Sequence, residues 1–265
     1  MQFSPRAITI AFLYNIALLV LDFVFALAFG LQDIVFEKPF PGFHIKIAFP
    51  SMPTMLSDID IKVSAVTFNA NPLLYGVIGG ISVLINAFIQ ALFLSLLIRD
   101  LFEDVSLPGE TSLEDAFKKF PVFLVYNLLL YLIVLLLLLV ILIIPPIGLL
   151  LMLIMVFVLL TWVYAPIILL LKEKTVFEAI SNSYNLVVSH FSDFLRILGI
   201  SSVTITVFTT FISLVPMNAA LLIGFLLWVP IGTAVIASIV ETYLVLTRET
   251  PPEPGPLPEL EPSSS

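Results

Sequence analysis

Few residues in this chain are spaced for chemistry. In "RDLFED", residues 99–104, Asp100 and Asp104 share one helical face, with Glu103 beside them and Arg99 adjacent. Carboxylates at that spacing hold Mg²⁺ against a phosphate in some sites, so a lipid-modifying reaction at a membrane surface is one chemistry to weigh. A solvated helix end carries the same residues without a metal, and that simpler reading is preferred. The two histidines, His44 and His190, fall in segments expected on opposite membrane faces, so no His-based metal site forms within one chain. Ser189, His190 and Asp193 lie on one short helical stretch and cannot converge as a triad. With no cysteine there is no thiolate nucleophile and no disulfide framework. The expectation is no catalytic residue, no metal and no cofactor.

The other candidate is a polar group inside apolar sequence. Asp22 stands within a long apolar run, where a charge near the bilayer midplane costs at least about 2.5–3.5 kcal/mol on insertion scales. Asn15 lies two turns earlier on a similar face, and Asn86 and Gln90 sit four apart on the next apolar run. A later run adds Ser201, Ser202, Thr204, Thr206, Thr209 and Thr210. These residues describe either a polar cavity for a proton or ion, or a hydrogen-bonded knot joining two helices. The knot is preferred; the cavity is the basis for an alternative function as a small transporter or channel.

Such residues need a membrane scaffold. Sixty per cent of the chain is apolar and only 11% is charged, with a mean hydropathy of +1.15, which no soluble surface accommodates. The net charge of −8 argues against nucleic acid, whose phosphates require Lys and Arg. A bilayer core of about 30 Å needs about 20 apolar residues of helix. Six stretches qualify, at approximately 7–31, 73–98, 121–144, 147–171, 195–217 and 219–247. The first is too long for the apolar segment of a cleaved leader and is read as a permanent span. "IIPPIG" and "VPMNAA" make tight turns between spans three and four and between five and six. The long loop 32–72 contains "FHIKIAF" and "IDIKVSA", whose alternation predicts two strands of a β-ribbon. Gly76 and Gly80 form a small-residue face suited to close helix approach.

The expected fold is therefore an all-α polytopic membrane protein. It has six transmembrane helices in three hairpins, amphipathic interfacial helices and a small external β-ribbon. Residues 1–248 form the transmembrane domain, and 249–265 a disordered tail rich in Pro and Glu. Arg6, Arg99, Lys118, Lys119, Lys172, Lys174, Arg196 and Arg248 gather on the face bearing both termini, against Lys38, Lys46 and Lys62 on the other. That asymmetry places both termini in the cytoplasm of a multi-pass cell-membrane protein.

Between two apolar runs, "KTVFEAISNSYNLVVSHFSDFLRILGI", residues 174–200, is polar yet periodic. Thr175 and Glu178 have capping-box spacing. Phe177, Ile180, Tyr184, Val187, Val188, Phe191 and Leu195 recur at three and four, with Ser181, Asn182, Asn185, Ser189, Ser192 and Asp193 mostly between them. This predicts an interfacial helix over about 175–194, with Thr175, Glu178, Ser183, Asn185 and His190 as interfacial polar residues. "TSLEDAFKKF" repeats the capping pattern at Thr111 and Glu114, predicting a second interfacial helix over about 111–120. Pro166 and Pro230 interrupt spans four and six at similar places, as two copies of a repeat would.

The stretch "APIILLLKEKTVFEAISNSYNLVVSHFSDFLRILGI", residues 165–200, resembles the signature of the six-span membrane domain attached to bacterial glycerophosphoryl diester phosphodiesterases, and of related bacterial and archaeal membrane proteins. The matching elements are Ala165-Pro166, Glu178-Ala179, Ser183, Leu186 and Phe194 to Gly199; the chain departs at Glu173-Lys174-Thr175 and at Asn182. The resemblance implies a membrane domain and carries no catalytic residues, because the activity in that family resides in a separate soluble barrel. The expected function is non-catalytic: binding or organising a lipid, an amphipathic molecule or a membrane-protein partner, which includes a second copy of the chain. The alternatives are a transporter or channel around Asp22, and a lipid-modifying enzyme at the inner acidic cluster.

Overall fold

The computed structural model describes residues 5–16, apart from 7 and 14, and residues 72–249, apart from 103, 104, 173 and 216. Asp22, the segment 32–71 expected to carry the β-ribbon, and residues 250–265 lie outside the described residues, as do Glu103 and Asp104. The described part of 5–16 is helical. Seven helices follow: α1 (Pro72–Leu101), α2 (Ser112–Ile143), α3 (Pro145–Leu160), α4 (Ala165–Leu171), α5 (Val176–Ser189), α6 (Phe191–Leu214) and α7 (Met217–Glu249). No strand occurs among the described residues.

Five segments among the described residues are long and apolar enough to cross a membrane: Val83–Leu101, Ser112–Ile141, Pro146–Leu171, Phe191–Leu214 and Leu226–Thr247. They give the chain the character of a multi-pass membrane protein.

Local chemistry sets the helix limits. Thr111 caps α2 by accepting from the Glu114 amide, but the Glu114 carboxylate reaches back to the Glu110 amide instead of closing a box on Thr111. The segment 111–120, expected as a separate interfacial helix, forms the first turns of α2 and runs without a break into the span. α2 and α3 are joined through the single residue Ile144, after which Pro145 starts α3 where its missing N–H is harmless. Gly148 makes this hairpin possible: a Cβ there would lie 2.5 Å from the Ile141 Cα. Among the described residues, a Cβ at Gly80 would meet nothing within 4 Å.

The core gathers at one end of the bundle. It combines the second half of α1, the first half of α2, all of α4, the inner face of α5, the start of α6 and the second half of α7. Ala11 of the N-terminal helical segment packs into the same cluster. A smaller cluster joins α6 and α7 through Ile205, Phe208, Ile212 and Trp228, with the Phe208 and Trp228 rings 4.9 Å apart. The opposite half of α2 and most of α3 form an arm whose Leu136, Ile143, Leu150, Leu153 and Phe157 are all exposed.

The two prolines expected to play equivalent parts differ. α7 runs continuously through Pro230, whereas the chain leaves helical geometry at Thr161–Tyr164, just before Pro166. Across that break the amides of Thr161, Trp162, Val163 and Ala165 bond three residues back rather than four. Pro166 has no N–H to donate to the Trp162 carbonyl, and its ring crowds that carbonyl, so the α-ladder cannot pass through this turn.

Candidate functional site

The structure brings polar residues together at two joints and places a groove beside one of them. The first joint ties the end of α1 to the start of α2. Asp115 is wholly buried and Arg99 a quarter exposed; Arg99 Nη2 lies 2.6 Å from Asp115 Oδ2, and Nε lies 2.9 Å from the same oxygen. Ser95 Oγ donates to that oxygen at 2.8 Å, and the Gly109 amide donates to Oδ1 at 2.7 Å. Arg99 Nη2 also donates to the Gly109 carbonyl. A Cβ at Gly109 would lie 2.7 Å from Asp115 Oδ1, so only glycine lets the loop close on the carboxylate. Each oxygen of Asp115 is therefore bonded, as a buried carboxylate requires.

This geometry gives Arg99 a partner outside the acidic cluster, of which only Asp100 lies among the described residues. Arg99 turns to Asp115, a residue the sequence reading did not single out, and Asp100 sits half-buried beside it in α1. Among the described residues no group of three or more His, Asp or Glu side chains is arranged to hold a metal ion.

The second joint explains the polar passage between the spans. The break at Thr161–Tyr164 leaves the Thr161 carbonyl and the Tyr164 amide without their helical partners. Ser183 of α5, itself wholly buried, donates from Oγ to the Thr161 carbonyl at 2.7 Å and accepts from the Tyr164 amide at 3.1 Å. One hydroxyl thus replaces both bonds that the broken turn gives up. Lys119 Nζ, also buried, donates to the Lys172 carbonyl at 3.3 Å just past the end of α4.

Ser183 reaches this position because α5 begins with a complete capping box. Thr175 accepts from the Glu178 amide, while the Glu178 carboxylate accepts from the Thr175 amide at 2.9 Å and from its hydroxyl at 3.0 Å. Those bonds, the amide's first, hold the Glu178 pKa below its ordinary value of 4.5. Of the apolar stripe on α5, which the sequence allows to face either lipid or the bundle, only Val187 is fully buried. Val176, Ala179, Ser183 and Val187 are buried, whereas Phe177 is 73% exposed and Tyr184 50%. Small residues let α5 pack closely on α4; the aromatic stripe is left for the outer surface. The helix also stops short of the expected 194, turning at His190, whose backbone (φ −118°, ψ 42°) separates α5 from α6. Asn185 is exposed, and His190 half-buried.

Between the outer face of α5 and the end of α3 lies a groove of about 430 Å³. Phe157, Val158, Thr161 and Trp162 form one wall, and Phe177, Ile180, Ser181 and Tyr184 the other. The volume falls in the range of small-molecule sites, and among the described residues no charged side chain lines it. The broken turn fixes the first wall, and Ser183, one turn from Ile180, fixes the second.

Of the intramembrane polar set, Asn15, Asn86 and Gln90 lie among the described residues. Asn15 is buried, and its Nδ2 donates to the Ala11 carbonyl at 2.7 Å. Asn86 is half-buried in α1. The Gln90 carbonyl accepts from Asn127 Nδ2 of α2 at 2.9 Å, so the knot at Gln90 joins α1 to α2. Asn127 was missed by the sequence reading because a lone Asn in an apolar run has no local partner to mark it.

Comparison of the chain with protein-family models, with curated proteins and with solved structures finds no match.

Proposed function

We propose that this is a non-catalytic integral membrane protein that binds a membrane lipid or another amphipathic molecule in the groove between α3 and α5, and so organises a lipid or a membrane-protein partner. The groove carries the reading. Its aromatic walls and the hydroxyls of Thr161, Ser181 and Tyr184 suit a ligand with an apolar body and an uncharged polar part. It is also continuous with the exposed apolar face of α3, from which a bilayer component would enter.

In this proposal the complete architecture has six spans in three hairpins, a β-ribbon within 32–72 outside the cell membrane, and both termini in the cytoplasm. The resemblance of residues 165–200 to the membrane domain accompanying glycerophosphoryl diester phosphodiesterases supports a membrane role without catalysis. Ser183 is among the residues that carry it, and here that residue is a joint, not a reactive group.

The chain has two tryptophans, Trp162 in the groove and Trp228 in the core. In a Trp228→Phe protein in detergent, a phospholipid brominated along its acyl chain should quench Trp162 saturably and in proportion to protein, and Phe177→Ala with Tyr184→Ala should weaken that quenching. Quenching that rises linearly with lipid and ignores both substitutions means that lipid is only solvent there, and the proposal fails.

A further inference from the structure

Three stripes run the length of α5, each repeating at three or four residues. Val176, Ala179, Ser183 and Val187 are buried against the bundle. Among the described residues nothing covers the other two. Phe177, Ser181, Tyr184 and Val188 form one, with Phe177 73% and Val188 54% exposed. Glu178, Asn182, Asn185 and Ser189, all exposed, form the other.

The two exposed stripes differ in chemistry. The first is apolar apart from Ser181 and the tip of Tyr184, and the second is wholly polar. A helix exposed to water alone gains nothing by gathering Phe177, Tyr184 and Val188 on one side. A helix sunk in hydrocarbon would hold Glu178, Asn182 and Asn185 away from water at high cost. A stripe of each kind along the whole helix is what an axis in the membrane surface calls for, with hydrocarbon on one side and water on the other.

Phe177, Ser181 and Tyr184 of the apolar stripe also form a wall of the groove. The polar stripe begins one residue further on, about 100° around the helix. A lipid seated in the groove from the leaflet beside α5 keeps its polar end next to the water that wets Asn182 and Asn185. A lipid of the far leaflet would first have to bring its headgroup through hydrocarbon.

We propose that α5 lies along the membrane surface and makes the groove a one-leaflet site, filled by a lipid from the leaflet that α5 borders, its polar end toward Asn182 and Asn185. This rests on the lipid groove proposed above and adds the side from which it is filled.

Because the chain has no cysteine, single cysteines report each stripe. In phosphatidylcholine vesicles with a membrane-impermeant maleimide on both sides, Asn185→Cys should react many-fold faster than Val188→Cys. Equal rates would overturn the proposal. For the leaflet, Trp228→Phe with Ser189→Cys is reconstituted at no more than one copy per vesicle, and biotin-maleimide added outside sorts the vesicles on avidin into those with α5 outward and those with it inward. Brominated phosphatidylcholine is then exchanged into the outer leaflet alone. Trp162 should be quenched saturably in the outward fraction and not in the inward one. Saturable quenching that is equal in both fractions, or confined to the inward one, keeps the groove ligand and overturns the one-leaflet site. Saturable quenching in neither removes the groove ligand itself, and this proposal with it.

Discussion

The packed end of the bundle and the α2–α3 arm are both made of Leu, Ile, Val and Phe, yet only one is a core. At the packed end, α1, α2, α4, α5, α6 and α7 converge, and the same region holds the Arg99–Asp115 joint, the Ser183 joint and the Gln90–Asn127 bond. In the arm, α2 and α3 meet each other closely at Gly148 and expose large aliphatic side chains elsewhere. The contrast follows from the solvent. Lipid tails are as apolar as leucine, so hydrophobicity does not choose a partner; small residues and hydrogen bonds do.

The largest test of that contrast is at the buried carboxylate. Asp115→Leu strands Arg99, Ser95 and the Gly109 amide, and breaking one side of a buried pair costs about 3–5 kcal/mol. Replacing Arg99 and Asp115 together by Leu should recover most of the loss, as read from thermal unfolding in detergent; equal losses in the single and double variants would remove the pair from the account.

Ser183→Ala comes next. It leaves a buried carbonyl and a buried amide unpaired, at about 1–3 kcal/mol for each stranded group. Hydrogen exchange should rise first at the Tyr164 amide.

The capping box should contribute less. Thr175→Ala is expected to lower stability by about 1 kcal/mol, the usual loss at an N-cap. Glu178 adds a pH signature. Its pKa is depressed in the folded protein, so its contribution is present above its ordinary value of 4.5 and is lost as pH falls through the lower folded value. Exchange at the first amides of α5 should therefore quicken on acidification below about pH 4.5, and Glu178→Gln should abolish that response.

The smallest effect belongs to the arm. Leu136→Ala and Ile143→Ala remove exposed side chains and should change stability by less than about 0.5 kcal/mol. A loss comparable with that of Ser183→Ala would mean that the arm is packed against a partner.

Much of this architecture was legible in sequence because the signals are local. Apolar length marked the spans that the described residues contain, and Pro145–Pro146 marked the turn after α2. Thr175 and Glu178, three apart, announced the cap of α5. The joints were not legible, since their partners are remote or belong to the backbone. Asp115 reads as a first-turn acid that suits a helix dipole; only the folded loop, closing at Gly109, brings Arg99 to it. Ser183 reads as one surface hydroxyl among several, and nothing local ties it to carbonyl and amide groups released by Pro166. The sequence left open whether the apolar stripe of α5 faces lipid or the bundle, and the outward Phe177 and Tyr184 resolve it toward the outside: in a membrane the largest apolar side chains need not point inward. Asp22 falls outside the described residues, so its expected knot with Asn86 and Gln90 stands as a sequence expectation.

The central claim is that Ser183 supplies the bonds that Pro166 removes, and a double-mutant cycle addresses it directly. With Pro166→Ala the chain regains an amide at that position and the turn can return to helical bonding. Thermal unfolding of the parent, Ser183→Ala, Pro166→Ala and the double variant should show a coupling of at least about 1 kcal/mol, with Ser183→Ala nearly silent once Pro166 is gone. Additive losses would contradict the account, because Ser183 would then be bonded to the break without standing in for its helix.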